Sequence, residues 1–211
     1  MHCTRQVREI LVVTGGIGSG KSEVCRILRE CYSCGVYNAD ERVKILYDIH
    51  PTLLDDIEKL TGENLRDENG LFVPARLSAR IFSDRSLLKE VEKLVFPALM
   101  DDFRVWTEDY ADDRFVVFES ATILEKPEFQ GFGDKVVLVD ALVETRLERA
   151  CLRDSAPRES IYARMLNQKM MNCISDGNMK ADVDAVIHNL GTLSDLRYST
   201  IRVINELYGN L

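Results

Sequence analysis

Five short runs rich in β-branched and other apolar residues punctuate the chain: Ile10–Val13, Gly35–Asn38, Phe115–Phe118, Val136–Val139 and Ala185–Ile187. They lack the apolar/polar alternation of a half-solvated strand, so they predict strands buried on both faces of a parallel sheet. Helical periodicity lies between them, the βαβ signature of an α/β fold. Lys21–Tyr32 predicts the helix leaving the first strand and Thr192–Leu207 a terminal amphipathic helix. The stretch Ala39–Arg114 is too long for one crossover helix. It predicts four helices, over Asp40–Asp48, Thr52–Leu60, Pro74–Phe82 and Leu87–Tyr110, broken at Thr61-Gly62 and Asn69-Gly70. No repeat or linker divides the sequence, which predicts a single domain over 1–211. Its core is expected at about 1–40, 115–143 and 181–211, with a helical insertion at about 41–114 and a further helical segment at about 144–180.

Between the first strand and first helix stands Gly15-Gly16-Ile17-Gly18-Ser19-Gly20-Lys21-Ser22, a match to G-x-x-x-x-G-K-[ST] in the strand–loop–helix context that gives this pattern meaning. Glycines let successive N–H groups turn toward anionic oxygens, and the helix N-terminus adds partial positive charge. The loop implies a bound nucleoside triphosphate, held by Gly16, Ile17, Gly18, Ser19, Gly20, Lys21, Ser22 and the backbone of Glu23. Lys21 reaches the β/γ-phosphates, and the Ser22 hydroxyl reaches Mg²⁺. In a parallel sheet, ligands gather at the carboxyl ends of the strands. Asp40, after the second strand, is therefore placed to accept or orient the proton of an attacking hydroxyl; it also suits a helix cap. Glu119, after the third strand, is the candidate Mg²⁺ carboxylate. Glu125 reads either as an acceptor contact or as a solvated helix-start glutamate.

The chain has 211 residues, 45% hydrophobic and 29% charged, with net charge −8. No apolar run approaches the roughly 20 residues of a membrane span, and no signal-peptide core follows the polar start. The expectation is a cytoplasmic protein without nucleic-acid or membrane partners, since a nucleic-acid binder carries a basic footprint. Charge is nonetheless uneven. Arg146, Arg149, Arg153, Arg158, Arg164 and Lys169 face only Glu148, Asp154 and Glu159 in the same stretch. Arg146, Arg149 and Arg153 share one helix face, placed to close over phosphates and stabilise charge on the leaving oxygen. Six cysteines lack framework spacing and predict reduced thiols. Cys31-x-x-Cys34 has no second ligand pair for zinc, because His2, His50 and His188 are not suitably spaced.

The order of these elements resembles the dephospho-coenzyme A kinase family. The resemblance rests on Thr14–Ser22, Asn38-Ala39-Asp40, Gly70-Leu71 through Ile81-Phe82 with Val95-Phe96-Pro97, Arg146 through Arg153-Asp154 to Gln168, and Asp184–Gly191. It implies a three-layer phosphate-loop kinase fold with a five-stranded parallel sheet, a helical acceptor-binding insertion and a helical lid at about 144–180. It also implies ATP-dependent phosphorylation of the ribose 3′-hydroxyl of dephospho-CoA, giving CoA and ADP. Asp40 falls on the family's proposed base, with Lys21, Arg146 and Arg149 beside it in catalysis; Arg149 and Asn189 join the nucleotide contacts, Asn189 framing the adenine. The chain departs from the family pattern at Asn38 (for Asp), Glu23 (for Thr), Phe96 (for His) and Glu119–Thr122 (for a Pro-Leu-Leu type stretch).

Two other readings remain open on the sequence. One is a different phosphate-loop kinase, acting on a nucleoside monophosphate, shikimate or gluconate. The other is a nucleotide-binding regulator without turnover. The sequence does not address oligomeric state.

Overall fold

A computed structural model describes residues 8–81, 84–168 and 183–209. The chain divides into two compact units, one of Met1–Asn38 with Tyr110–Leu211 and the other Ala39–Asp109.

The first unit is built on a parallel sheet of β1 (Glu9–Thr14), β2 (Val36–Asn38), β3 (Phe115–Glu119), β4 (Lys135–Asp140) and β5 (Ala185–His188), in the order β2-β3-β1-β4-β5. Hydrogen bonding carries β3 and β4 past the apolar runs, so Glu119 and Asp140 end their strands rather than follow them. One sheet face presents Leu11, Val13, Phe115, Val117, Val137, Val139 and Ile187 to α1 (Lys21–Tyr32) and to the terminal helix, which is α8 (Leu193–Tyr208) in chain order. Those helices answer with Val24, Ile27 and Leu28, and with Leu196, Val203 and Ile204. The alternate residues point to the opposite face. There Phe118 stacks on Tyr37 and meets Phe129 and Phe132. Thr192 and Asp195 form a reciprocal capping box that starts α8, satisfying two N–H groups that would otherwise lack partners.

The connection leaving β1 crosses to one side of the sheet and that leaving β4 to the other. The topological switch point therefore falls between these neighbours, where an open α/β sheet offers its ligand crevice. After β4 come α6 (Val143–Asp154) and α7 (Arg158–Leu166). They pack together through Leu147, Ala150, Ile161 and Met165. The remainder of the expected lid, with Lys169 and Cys173, lies outside the described residues, as do His2, Cys3 and Phe82.

The second unit holds α2 (Ala39–Ile49), α3 (Leu53–Thr61), α4 (Pro74–Ile81) and α5 (Arg85–Trp106). Buried Leu46, Leu53, Leu54, Ile57, Leu77, Leu87, Val91, Leu99 and Phe103 form its interior. The breaks fall where the sequence puts them: Gly62 ends α3 at φ 71° and Gly70 turns the chain at φ 82°. Asp84 caps α5 by accepting from Ser86 and Leu87 N–H. That helix stops at Trp106, short of the expected Tyr110, and the chain tightens into a 3₁₀ turn over Thr107–Tyr110. A bidentate ion pair joins Arg42 on α2 to Asp102 on α5 at 2.6 and 2.7 Å.

Candidate active site

β1 ends at buried Thr14, and the glycine loop runs from there into α1. Gly18 and Gly20 have φ of 75° and 103°, conformations that a side chain resists. Space excludes a side chain as well. A Cβ at Gly16 would overlap the Arg146 guanidinium, one at Gly18 the Arg146 carbonyl oxygen, and one at Gly20 the Asn189 amide. The glycines thus serve two needs, the turn itself and the close approach of α6 and the loop after β5. Lys21 and Ser22 open α1, where first-turn N–H groups have no intrahelical acceptor. Lys21 Nζ also reaches the Gly16 carbonyl at 3.4 Å.

Ser22 and Glu119, both predicted metal ligands, meet in the structure. Ser22 Oγ donates to Glu119 Oε1 at 3.0 Å, and Asn38 Nδ2 donates to Oε2 at 3.2 Å. Glu119 is only 5% exposed. The Cys25 thiol, one helical turn beyond Ser22, also hydrogen-bonds this carboxylate; burial first, and Glu119 second, push the thiol well above its ordinary pKa. These contacts give a physical account of Asn38. An aspartate there would set two carboxylates against each other, whereas an amide supplies a donor. An oxygen-only pair of hydroxyl and carboxylate suits Mg²⁺, which takes one or two carboxylates and completes its shell with water and phosphate.

The expected arginine face divides. Arg146 is 2% exposed, the largest fully buried side chain among the described residues, and its Nε donates to the Ile17 carbonyl at 3.0 Å. Burial lowers its pKa, and the Asp140 carboxylate offsets part of that effect. Arg146 Nη2 and Arg149 Nη1 are buried without a hydrogen-bond partner. Arg153 turns away and pairs with Asp154 at 2.7 Å, as does Arg164; Arg158 pairs with Glu144 at 2.5 Å. Acidic residues on α6 thus pair with Arg153, Arg158 and Arg164, while Arg146 and Arg149, among the described residues, turn toward the glycine loop. Arg146 lies buried against the glycine loop, bonded to its tip.

The structure gives further contacts of the expected site residues. The Ile17 N–H donates to Gln168 Oε1 at 2.8 Å. Asn189 holds the loop: its Nδ2 donates to the Ser19 carbonyl at 2.8 Å, within a buried contact. Glu23 sits in the first turn of α1 and pairs with Arg26 at 2.5 Å, which neutralises its charge one turn from the phosphate-binding end. Asp40 lies within the first turn of α2, exposed, so it is inside the helix rather than its N-cap. Glu125 is partly buried in a 3₁₀ turn over Ile123–Glu125 and does not start a solvated helix. Cys25, Cys31, Cys34 and Cys151 are free thiols. Sequence reasoning marked Gln168 only as the end of a resemblance block, without a role, and missed Cys25, which was readable from its i+3 spacing to Ser22.

Orphaned buried N–H groups of two arginines, a buried Ser19 hydroxyl without partner, and glycines that clear the approach describe a cradle for a polyphosphate. A strand, glycine loop and helix in this geometry, with a lysine at the helix start and a carboxylate on the adjacent strand, define a phosphate-loop kinase. The dephospho-CoA kinase family model matches residues 9–195, and the chain belongs to that family. It is therefore an ATP-dependent kinase. Dephospho-CoA kinase from Porphyromonas gingivalis is 38% identical over 177 residues, covering 84% of each chain. The Thermus thermophilus protein TT1252 superposes with TM-score 0.78 at 27% identity, over 97% of this chain and 100% of that one. Dephospho-CoA kinase from Campylobacter jejuni shares the fold, with TM-score 0.58 at 21% identity over 96% and 98%. No helix among the described residues is long and apolar enough to cross a membrane.

Proposed function

We propose that this kinase transfers the γ-phosphoryl group of ATP to the ribose 3′-hydroxyl of dephospho-CoA, giving CoA and ADP. It does so in the cytosol, on small molecules rather than nucleic acid. The observation that carries the reading is the convergence of the glycine loop, the Ser22–Glu119 pair and two arginines with unpartnered N–H groups on one end of the sheet. Phosphoryl transfer asks a protein for positioning and charge stabilisation rather than covalent chemistry, and this set supplies both.

In this reading the N–H groups at the start of α1 and Lys21 hold the β- and γ-phosphates, and Ser22 and Glu119 hold Mg²⁺. Held there, the ion would supply Lewis-acid neutralisation of phosphate charge. Arg146 and Arg149 present guanidinium N–H groups to the leaving oxygens, where negative charge grows as the bond breaks. Asp40, two residues past the carboxyl end of β2, accepts the proton of the attacking ribose hydroxyl. The Ala39–Asp109 unit binds the acceptor, and Asn189 fixes the loop on which the nucleotide rests.

The test is ADP release in a coupled assay with dephospho-CoA, a nucleoside monophosphate, shikimate and gluconate as acceptors. Turnover with dephospho-CoA alone is expected. Release only with another acceptor refutes the substrate, and release with none refutes the kinase reading. Asp40→Asn should lower kcat by on the order of 10²-fold with ATP binding nearly intact; near-normal kcat removes Asp40 from the base role.

A further inference from the structure

The tip of the glycine loop is held from outside itself. Ile17 stands between Gly16 and Gly18, so local stereochemistry does little to fix it. Yet each of its parts is engaged. Its N–H donates to Gln168 Oε1 at 2.8 Å, its carbonyl accepts from Arg146 Nε at 3.0 Å, and its side chain packs on the Leu147, Ala150, Ile161 and Met165 cluster between α6 and α7. Gln168, two residues past the end of α7, is 5% exposed and reaches in a second direction. Its Nε2 donates to the Ala121 carbonyl at 3.3 Å, two residues beyond Glu119. The amide can point only one way. An N–H on one side demands the oxygen, and a carbonyl on the other demands the nitrogen.

We infer that Gln168 is a positioning residue for phosphoryl transfer: its carboxamide ties the glycine-loop tip, which Arg146 of α6 also grips, to the strand end that bears Glu119. The inference rests on the kinase reading, because it assigns to Gln168 the spacing between the loop, the carboxylate and the arginines. Its bonds span 151 residues to Ile17 and 47 to Ala121, and join the loop tip directly to the chain just past Glu119. Removing it leaves ATP its loop and its lysine, while the loop tip to which Arg146 is bonded loses its tie to the strand end that bears Glu119. The loss therefore falls on kcat more than on nucleotide affinity, since a small misplacement of charge-stabilising groups costs rate steeply.

The experiment compares Gln168→Leu and Gln168→Glu with the full-length wild type, reading kcat, KM for ATP and amide hydrogen exchange of the segment containing Ile17. The glutamate keeps an acceptor for the Ile17 N–H but turns an oxygen toward the Ala121 carbonyl. For the leucine variant, kcat should fall on the order of 10-fold or more with KM for ATP changed by less than about threefold. Exchange at Ile17 should rise roughly 10-fold for the loss of one buried bond. The glutamate variant should lose kcat while keeping most of the Ile17 protection, and it carries the test alone if the leucine variant does not fold. Wild-type kcat in both variants, or a fall in melting temperature with no change in kcat, overturns the inference. Wild-type protein inert toward dephospho-CoA would instead overturn the functional reading, and exchange at Ile17 would still report whether Gln168 holds the loop.

Discussion

Replacing Arg146 by methionine separates what this side chain does for the fold from what it does for catalysis. The substitution keeps most of the volume and removes the charge. It loses the bond from Nε to the Ile17 carbonyl, worth about 1.5–3 kcal/mol as a charged-group hydrogen bond. It also relieves the burial of a guanidinium whose Nη2 has no partner, a desolvation cost of several kcal/mol for which Asp140 compensates only in part. Replacing a whole buried ion pair by apolar groups is commonly neutral or stabilising by about 1–4 kcal/mol, and Arg146, whose Nε is bonded to a backbone carbonyl, leaves no stranded carboxylate partner behind. For a chain this long, each kcal/mol moves the melting temperature by about 2–4 °C. The ligand-free Arg146→Met protein should therefore melt at the wild-type temperature or several degrees above it. Catalysis should move the other way. Removing one preorganised donor from a developing charge costs about 2.7–4 kcal/mol, or 10²–10³-fold in kcat. Calorimetry without ligand and a coupled assay for ADP measure the two arms. A melting temperature lowered by more than about 8 °C, or a kcat within threefold of wild type, would refute the argument that Arg146 is held at a cost to stability for the sake of the reaction.

Glu119→Gln keeps the shape of the Ser22 and Asn38 contacts and removes the negative charge. Turnover should fall by about 10²-fold or more with a raised Mg²⁺ requirement, read by Mg²⁺ titration; an unchanged Mg²⁺ dependence removes Glu119 from the metal role. Gly18→Ala meets a φ of 75° and the Arg146 carbonyl oxygen together, so it should cost about 2 kcal/mol or more and lower the melting temperature by about 4–8 °C. Loss of the ATP-induced thermal shift should accompany it, and an unchanged shift contradicts the loop geometry. Alkaline stability follows from buried acids. Burial raises Cys34 and Tyr47 to about 12 and Cys25 well above 9.0. The folded state keeps protons that the unfolded chain releases above about pH 9. Stability is thus full below that pH and declines as pH rises, by up to about 1.4 kcal/mol per pH unit per group. Melting temperatures from pH 8 to 11 should fall, and less steeply in Cys34→Ala; a flat profile would contradict the burial of these groups.

Much of the fold could be read from the chain because its signals are local. Apolar runs without alternation gave the strands, the glycine-to-lysine spacing gave the loop, and Gly62 and Gly70 broke the insertion where they stand. Element ends were less legible. Pairing with β1 carried Glu119 into β3, and the end of α5 tightened into a 3₁₀ turn. The partners of charged side chains were not legible at all. Arg146, Arg149 and Arg153 share one helix face, and nothing in that periodicity says that Arg153 pairs with Asp154 while Arg146 is buried against the glycine loop.

The sequence by itself determined the strands and the phosphate loop, because each rests on spacing between near neighbours in the chain, and the family, because such local blocks follow one another in a set order. Only the tertiary structure decided how the loop is held. Gln168, Asn189 and Arg146 reach it from 151, 170 and 129 residues away, closing its backbone groups from the far side of the topology. Spacing cannot report such contacts: they follow from where the segments after β4 and β5 come to rest, and burial penalises backbone groups of the loop that are left unpaired.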